Sequence, residues 1–452
     1  MECGEARPGP RVRARCRREA AIAIYVTSLG CRLNQAEAAA LRRALARLGH
    51  EMVSEARLAD VVVLNTCAVT AEAERKSRQL LRRLHRESPG ARILVTGCYP
   101  QLDRDLGGAA GLADAVVDNV AKRRLLEAPE HFIPPASAAN GRAAPALRAR
   151  ALVRVQEGCD NRCSYCVVWR LRGEQVSRPA GDVLAEVRQL VAEGRQEVVL
   201  TGVHIGAYGR DRLRPEVPDL SGLLRLILDQ TTVRRLRLSS IEPWDLRHLD
   251  LSLWSDPRLC PHLHVPLQSG SDTVLGRMAR RYSAAEYERA IARAREAIPD
   301  LAVTTDVIAG FPGESELDLE ATVALSRRCG FARMHVFRFS PRPGTAAAHM
   351  PDQVPPEVIR DRAARLREVA AELAAGYEAG YVGRTMSVLW ERKREGWWSG
   401  LTPNYLRVRT RHAEDLSGRA TSTRLCRRDR YGLVGEVVRE PHAPGDLALQ
   451  LQ

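Results

Sequence analysis

Residues 152–166 read LVRVQEGCDNRCSYC. This short apolar run, followed at once by Cys159, Cys163 and Cys166, decides how the rest of the chain is divided. LVRV (Leu152–Val155) is the first of six apolar runs separated by helical patterns. The others are EVVLT from Glu197, RLRLS from Arg235, HLHVPL from His262, AVTTDVI from Ala302 and RMHVFRF from Arg333. Helical spacing fills 180–193, 219–230, 284–298 and 315–329, and a long helix is expected over 355–379. Six βα units are too many for a small doubly wound domain and too few for a closed eightfold barrel, so residues 150–379 are expected to form an open (β/α)6 barrel. His262 and His264 fall on one side of a barrel strand, which places them inside the barrel.

Upstream, AIAIYV (from Ala21), DVVVLN (from Asp60) and ARILVT (from Ala91) alternate with helical patterns at Gln35–Leu48 and Ala71–Arg86. This βαβαβ rhythm over 22–128 predicts a doubly wound parallel sheet in an α/β domain. Residues 129–149, rich in Pro and Ala, read as a linker. The short alternating runs TMSVLWE, NYLRVRT and GLVGEVV suggest a small β-barrel over 380–452. From Tyr381 onward this segment holds thirteen Arg or Lys against eight Asp or Glu. Residues 1–21 are basic and lack an apolar core, so they read as a disordered tail and not a secretory signal.

The whole chain has 452 residues and a net charge of +14. That balance suits a polyanionic partner, because cations that neutralise phosphates release counterions. No apolar run approaches the roughly 18–20 residues that cross a bilayer, so no membrane partner is expected. Eleven cysteines without a secretory signal point to metal or redox chemistry in a reducing, cytoplasmic setting rather than to disulfides.

Cys159, Cys163 and Cys166 have C-x3-C-x2-C spacing on one tight loop. Three thiolates there can hold three irons of a 4Fe-4S cube and leave the fourth open. A zinc site completed by His204 is the bland alternative. A second triad is dispersed: Cys31 in TSLGC, Cys67 in LNTC and Cys98 in VTGC each follow a predicted parallel strand. Carboxyl ends of neighbouring strands face one crevice in a doubly wound sheet, so these three can converge as well. Cys3, Cys16, Cys260, Cys329 and Cys426 read as free thiols.

With both triads in view, the chain resembles the radical SAM methylthiotransferase family. The resemblance runs from residue 22 to about 440. It implies an N-terminal methylthiotransferase domain with an auxiliary cluster, a radical SAM barrel and a TRAM-like RNA-binding β-barrel. It also implies two 4Fe-4S clusters on the six cysteines, with S-adenosylmethionine (SAM) cleaved to a 5′-deoxyadenosyl radical. By the same resemblance Tyr165 lies near the SAM adenine, and Thr201 and Gly202 bind its amino group. Ser239 and Glu242 are polar groups suited to ribose or methionine, Gln268 joins them as a cofactor-binding residue, and Asp306 and Gly310 lie in a turn similar to the one that contacts adenine. SLGCRLNQAE, NTCAVTAEAERKSRQ and HLHVPLQSGSDTVLGRMARRYS are most similar to the branch acting on N6-threonylcarbamoyladenosine of tRNA. The sibling branches act on N6-isopentenyladenosine and on a ribosomal-protein aspartate. VVWRLRG (Val167–Gly173) departs from the family by lacking a proline, and EQVSRP is closer to the isopentenyl branch. Expected partners are a tRNA anticodon stem-loop, an electron donor and a sulfur donor. The non-enzymatic alternative is an RNA-binding protein with zinc on its cysteines.

Overall fold

The computed structural model describes residues 21–136, 149–211 and 217–438. The expected tail therefore lies outside the described residues except for Ala21.

The first domain is a parallel sheet of β1 (Ala23–Ser28), β2 (Glu51–Met52), β3 (Val61–Thr66), β4 (Arg92–Gly97) and β5 (Ala115–Val117), in the order 2-1-3-4-5. Helices α1 (Arg32–Arg47), α2 (Ala71–Glu87), α3 (Cys98–Leu102) and α4 (Asn119–Glu127) complete it. Ile24, Val62, Val63, Leu64 and Val95 are fully buried, and each such side chain contributes roughly 1.5–3 kcal/mol by leaving water. Thr70 starts α2 by accepting the N–H of Ala73 at 3.1 Å, an N-cap bond that satisfies one orphan donor. The short strands β2 and β5 carry too few residues for a periodic signal and were not expected. The linker begins later than its composition implies. Ile133 is buried in the first domain's core, and the Ala136 N–H donates to Leu48 O at 2.9 Å. Ile133, with Phe132 beside it, the Ala136 backbone bond and a 2.9 Å contact of His50 Nε2 with Pro134 O thus dock 129–136; residues 137–148 are outside the described residues.

The barrel uses β6 (Arg150–Arg154), a small antiparallel ribbon of β7 (Gln156–Glu157) and β8 (Val176–Ser177), then β9 (Glu197–Thr201), β10 (Arg235–Leu238), β11 (His262–His264), β12 (Ala302–Ala309) and β13 (Arg333–Arg338). Two parallel half-sheets, 10-9-6 and 11-12-13, are joined by the bridges Leu236–Leu259 and Ser240–His264. The barrel stays open between β6 and β13. Helix α1 of the first domain packs along β6, and the helix Pro356–Ala379 packs on β13. The last domain is a closed barrel of β14 (Thr385–Arg394), β15 (Trp397–Leu401), β16 (Arg407–Thr410), β17 (Ala420–Asp429) and β18 (Gly432–Val437), in the order 14-15-16-18-17. Trp390, Val388, Leu425 and Leu433 fill it. No described helix is long and apolar enough to cross a membrane.

Candidate active site

The order 2-1-3-4-5 makes the gap between β1 and β3 the point where the winding reverses, and ligands bind at the carboxyl ends there. Cys31 follows β1, Cys67 follows β3 and Cys98 opens α3 just after β4. Their loops touch. A Cβ placed on Gly30 would fall 2.5 Å from the Cys67 Sγ, and one on Gly97 would fall 2.3 Å from Thr66 O. Both glycines have positive φ, 91° and 103°, so a side chain is excluded by conformation as well as by space. The Asn34 amide donates to Leu29 O and to Thr66 O, both at 2.8 Å, tying two cysteine loops together. Thr66 Oγ1 donates to Thr96 O at 2.6 Å and ties in the third. Ser77 Oγ donates to Cys67 O at 3.0 Å. Cys31 is exposed at the lip, while Cys67 and Cys98 are buried. Burial pushes the Cys67 thiol up to about 11, so without metal it holds its proton. A cavity of about 330 Å³ opens beside this lip, lined by Gly30, Thr70, Glu72 and Lys76.

The second triad sits on the loop between β7 and α5 (Val168–Arg172). Cys163 is buried, and Cys159 and Cys166 are partly covered. The Cys159 N–H donates to Gly173 O at 3.1 Å, and the Cys166 N–H to Cys163 O at 3.1 Å; Val168 N–H points at the Cys166 Sγ at 3.4 Å. Burial pushes the Cys166 thiol up to about 12. Arg280 Nη1 lies 3.5 Å from the Cys163 Sγ and pairs with Glu242, so a cation stands beside the loop where anionic sulfur would be held.

The other expected residues divide into groups. Tyr165 is wedged edge-on against Phe311, with ring centroids 6.4 Å apart, which brings it to the turn that carries Gly310. Gly310 has φ 75°, and a Cβ there would strike Ile359 at 2.4 Å. Thr201 is buried at the end of β9. Gly202 leaves room for Gln156, whose Oε1 accepts the N–H groups of Val203 and His204 at 3.0 and 2.8 Å. Ser239 is buried, and among the described residues its hydroxyl has no partner. Gln268 sits at φ 63°, strained for a side-chain-bearing residue. Its N–H donates to Asp306 O at 2.8 Å. The Asp306 side chain points into the barrel and faces His264 Nε2 at 3.2 Å and His335 Nδ1 at 3.1 Å.

Arg172, Arg280, Gln156 and Asp245 also stand at the site, though the sequence does not mark them as site residues. Only motif context marked the first two; Asp245 draws its meaning from holding His204 at 2.6 Å, a contact between distant loops. Arg78 donates to the Tyr99 hydroxyl at 2.7 Å. Lys76 pairs with Glu72 at 2.7 Å on the surface. The VVWRLRG stretch forms α5, with Trp169 beneath the Arg162 guanidinium at 5.2 Å.

Residues 23–118 match the model described as uncharacterized protein family UPF0004, and 153–325 match the radical SAM superfamily. The chain is 37% identical to the threonylcarbamoyladenosine tRNA methylthiotransferase MtaB of Chlamydia pneumoniae, over 91% of this chain and 97% of that protein. The chain belongs to the radical SAM tRNA methylthiotransferases. It is also 34% identical to the Bacillus subtilis MtaB, over 88% and 92% of the two chains. A tRNA-2-methylthio-N(6)-dimethylallyladenosine synthase of Syntrophobacter fumaroxidans is likewise 34% identical, over 92% and 96%. Among solved structures, the radical S-adenosylmethionine methyltransferase TsrM of Kitasatospora setae has the same fold, with TM-score 0.52 and 15% identity over 73% of this chain and 77% of that one. Membership in the radical SAM methylthiotransferases implies a 4Fe-4S cluster and SAM. The residues fit them: Cys159, Cys163 and Cys166 share one loop, and the buried Ser239 hydroxyl just past the end of β10 has no partner among the described residues.

Proposed function

We propose that this methylthiotransferase modifies carbon 2 of N6-threonylcarbamoyladenosine next to the anticodon of tRNA, using a second 4Fe-4S cluster on Cys31, Cys67 and Cys98. The observation that supports the reading is the contact between the three loops that carry these cysteines, from neighbouring strand ends beside the winding reversal of the first sheet. In this reading Cys159, Cys163 and Cys166 hold the barrel cluster, and Tyr165, Thr201, Gly202, Ser239, Glu242, Gln268 and Gly310 line the SAM cradle.

When bound, the barrel cluster supplies the electron that cleaves SAM, and the N-terminal cluster an iron vertex at which sulfur is presented. Radical chemistry is needed because the adenine C2–H bond is neither acidic nor activated. The chain's own part is placement and shielding. Asn34 and Ser77 fix the loops of the first triad. Arg280, itself fixed by Glu242, faces the Cys163 sulfur. The Arg172 guanidinium bonds Asn34 Oδ1 at 2.5 Å, so the loop that carries the second triad is bolted to the domain that carries the first.

The relatives named for threonylcarbamoyladenosine favour that base, although dimethylallyladenosine synthases match at similar identity. A cytoplasmic location, a tRNA anticodon stem-loop on the basic C-terminal barrel, and outside donors of electrons and sulfur complete the reading. Nucleoside mass spectrometry of tRNA from a deletion strain tests it. Loss of the methylthio form of threonylcarbamoyladenosine, restored by the wild-type gene, supports the assignment; its retention overturns it.

A further inference from the structure

The inner face of the barrel is charged. Along each strand one set of alternate residues packs outward against the helices, Val153, Val198, Leu236, Leu263, Val303 and Met334 among them. The other set points inward. Arg237, His262, His264, Asp306, Arg333 and His335 therefore share one lumen.

Some of this charge is balanced. Arg237 is held by Glu197 at 2.7 and 3.1 Å, and Asp306 stands between His264 and His335. At the lower end Tyr405, from the C-terminal domain, plugs the barrel. Its ring stacks on His262 at 4.1 Å and 13°, and its hydroxyl accepts from Arg32 Nη2 at 2.9 Å. Arg32 follows Cys31 directly, so a side chain beside the first triad reaches into the lumen. Arg32 has no carboxylate partner among the described residues. Arg333 has no side-chain hydrogen bond or ion pair among them at all. The field of this cation excess is visible on Tyr405: burial would raise its phenol, yet Arg32, Arg150, Arg237 and Arg333 together draw it below its ordinary value.

Along β13 the inward residues form a ladder. Arg333 is deepest, His335 is next and Phe337 is uppermost, spaced about 6–7 Å per step. His335 and Phe337 are both 46% exposed, so the upper rungs are open.

We propose that this lumen is the subsite for the N6 substituent, taking the terminal carboxylate of the threonylcarbamoyl chain on His335 and Arg333 while the adenine lies against Phe337. This rests on the base assignment made above. A flat ring at the mouth suits the base, and two donors below it suit a carboxylate. Arg32 adds positive field from the side of the first triad. A hydrocarbon isopentenyl group in the same place would bury these guanidiniums without an anion, so the lumen that accepts the acid rejects the alkene.

The test uses reconstituted enzyme and two anticodon stem-loops, one carrying N6-threonylcarbamoyladenosine and one with its carboxylate replaced by a carboxamide. Wild-type enzyme is expected to prefer the acid by about 10–100-fold in kcat/KM, mostly through KM. Arg333→Gln and His335→Gln should each shrink that ratio, and Arg333→Lys should restore part of it. Iron content and melting temperature verify that the variants are folded. An unchanged ratio in both Gln variants, with the acid still turned over, overturns the subsite and leaves the base assignment standing. Wild-type enzyme that modifies an isopentenyladenosine stem-loop and ignores the acid overturns both. A divalent metal other than iron, retained by wild type and lost in His264→Ala and His335→Ala, would make the His264–Asp306–His335 group a metal site and also overturn the proposal.

Discussion

Arg172 Nη1 lies 2.7 Å from Glu37 Oε1, an ion pair almost completely shut off from solvent that joins the barrel to the first domain. Glu37 Oε2 accepts from Lys122 at 2.9 Å and from Asn65 at 2.9 Å, and Glu157 faces Arg172 at 3.1 Å. Glu37 thus bridges two buried cations, one of them shared with Glu157, at the seam between the two cysteine triads.

The first prediction concerns that seam. Burial alone would raise the Glu37 carboxyl, yet Arg172 and Lys122 hold it well below the usual carboxylate range. Glu37→Gln leaves Lys122 without its anion and Arg172 with Glu157 alone, and breaking a buried pair in this way costs about 3–5 kcal/mol. Calorimetry should show a lower melting temperature for the variant at pH 7. Because the folded carboxyl is depressed, the wild-type advantage is present above the unfolded value and fades as pH falls through the acid range. An advantage that persists undiminished in acid would contradict the pairing.

A second prediction separates the triads. Anaerobically reconstituted wild-type protein should hold about eight irons. Cys67→Ala should bring this to about four while SAM cleavage continues, and methylthiolation should stop. Cys163→Ala should also bring it to about four but abolish SAM cleavage. Iron and sulfide assays with 5′-deoxyadenosine quantitation distinguish the two. Zinc in place of iron in the wild type would favour a non-enzymatic RNA binder.

The sequence displayed the barrel strands and both triads because strand ends are marked by apolar runs, and cysteines placed just after them need no further information. It was silent about Arg172 and Arg280, since an arginine in a motif looks the same whether it faces water or a buried carboxylate 135 residues away. His262 and His264 were placed inside the barrel by alternation alone, and the structure puts them there, both buried. Asp306 stood in a motif expected to touch adenine, but its side chain follows strand parity into the lumen toward two histidines. The linker boundary was blurred by Pro/Ala composition, which outweighed the two apolar residues, Phe132 and Ile133, that dock it.

The third prediction addresses RNA. On the C-terminal barrel Arg409 lies 4.2 Å from the Trp397 ring and 4.6 Å from the Tyr431 ring, and Arg411 lies 4.8 Å from Trp397. Tyr431 is 54% exposed. Interleaved rings and guanidiniums suit stacked bases and phosphates. Trp397→Ala should weaken tRNA binding by about tenfold, consistent with roughly 1–3 kcal/mol for a stacked base. Arg411→Ala should lower the dependence of log K on log salt by about one. Filter binding across a salt series reads both; an unchanged slope would remove Arg411 from the contact.

The fourth prediction is a pH effect at the turn that carries Gly310. Glu314 is buried and accepts the Gly310 N–H, and its carboxyl is pushed up to about 6, burial outweighing the help of that N–H and of Arg362. A carboxyl with a raised folded value binds its proton more tightly folded than unfolded. Stability is therefore greatest below about 4.5 as far as this group is concerned, and falls as pH rises through 6. The difference is about 2 kcal/mol across that window. Glu314→Gln cannot ionise, so its melting temperature should lack this component of the decline between pH 4.5 and 7. Because Arg362 Nη1 also holds Glu314 O at 2.7 Å, the variant keeps an anchor for that guanidinium. Parallel wild-type and variant melting curves over this window would argue that Glu314 titrates normally.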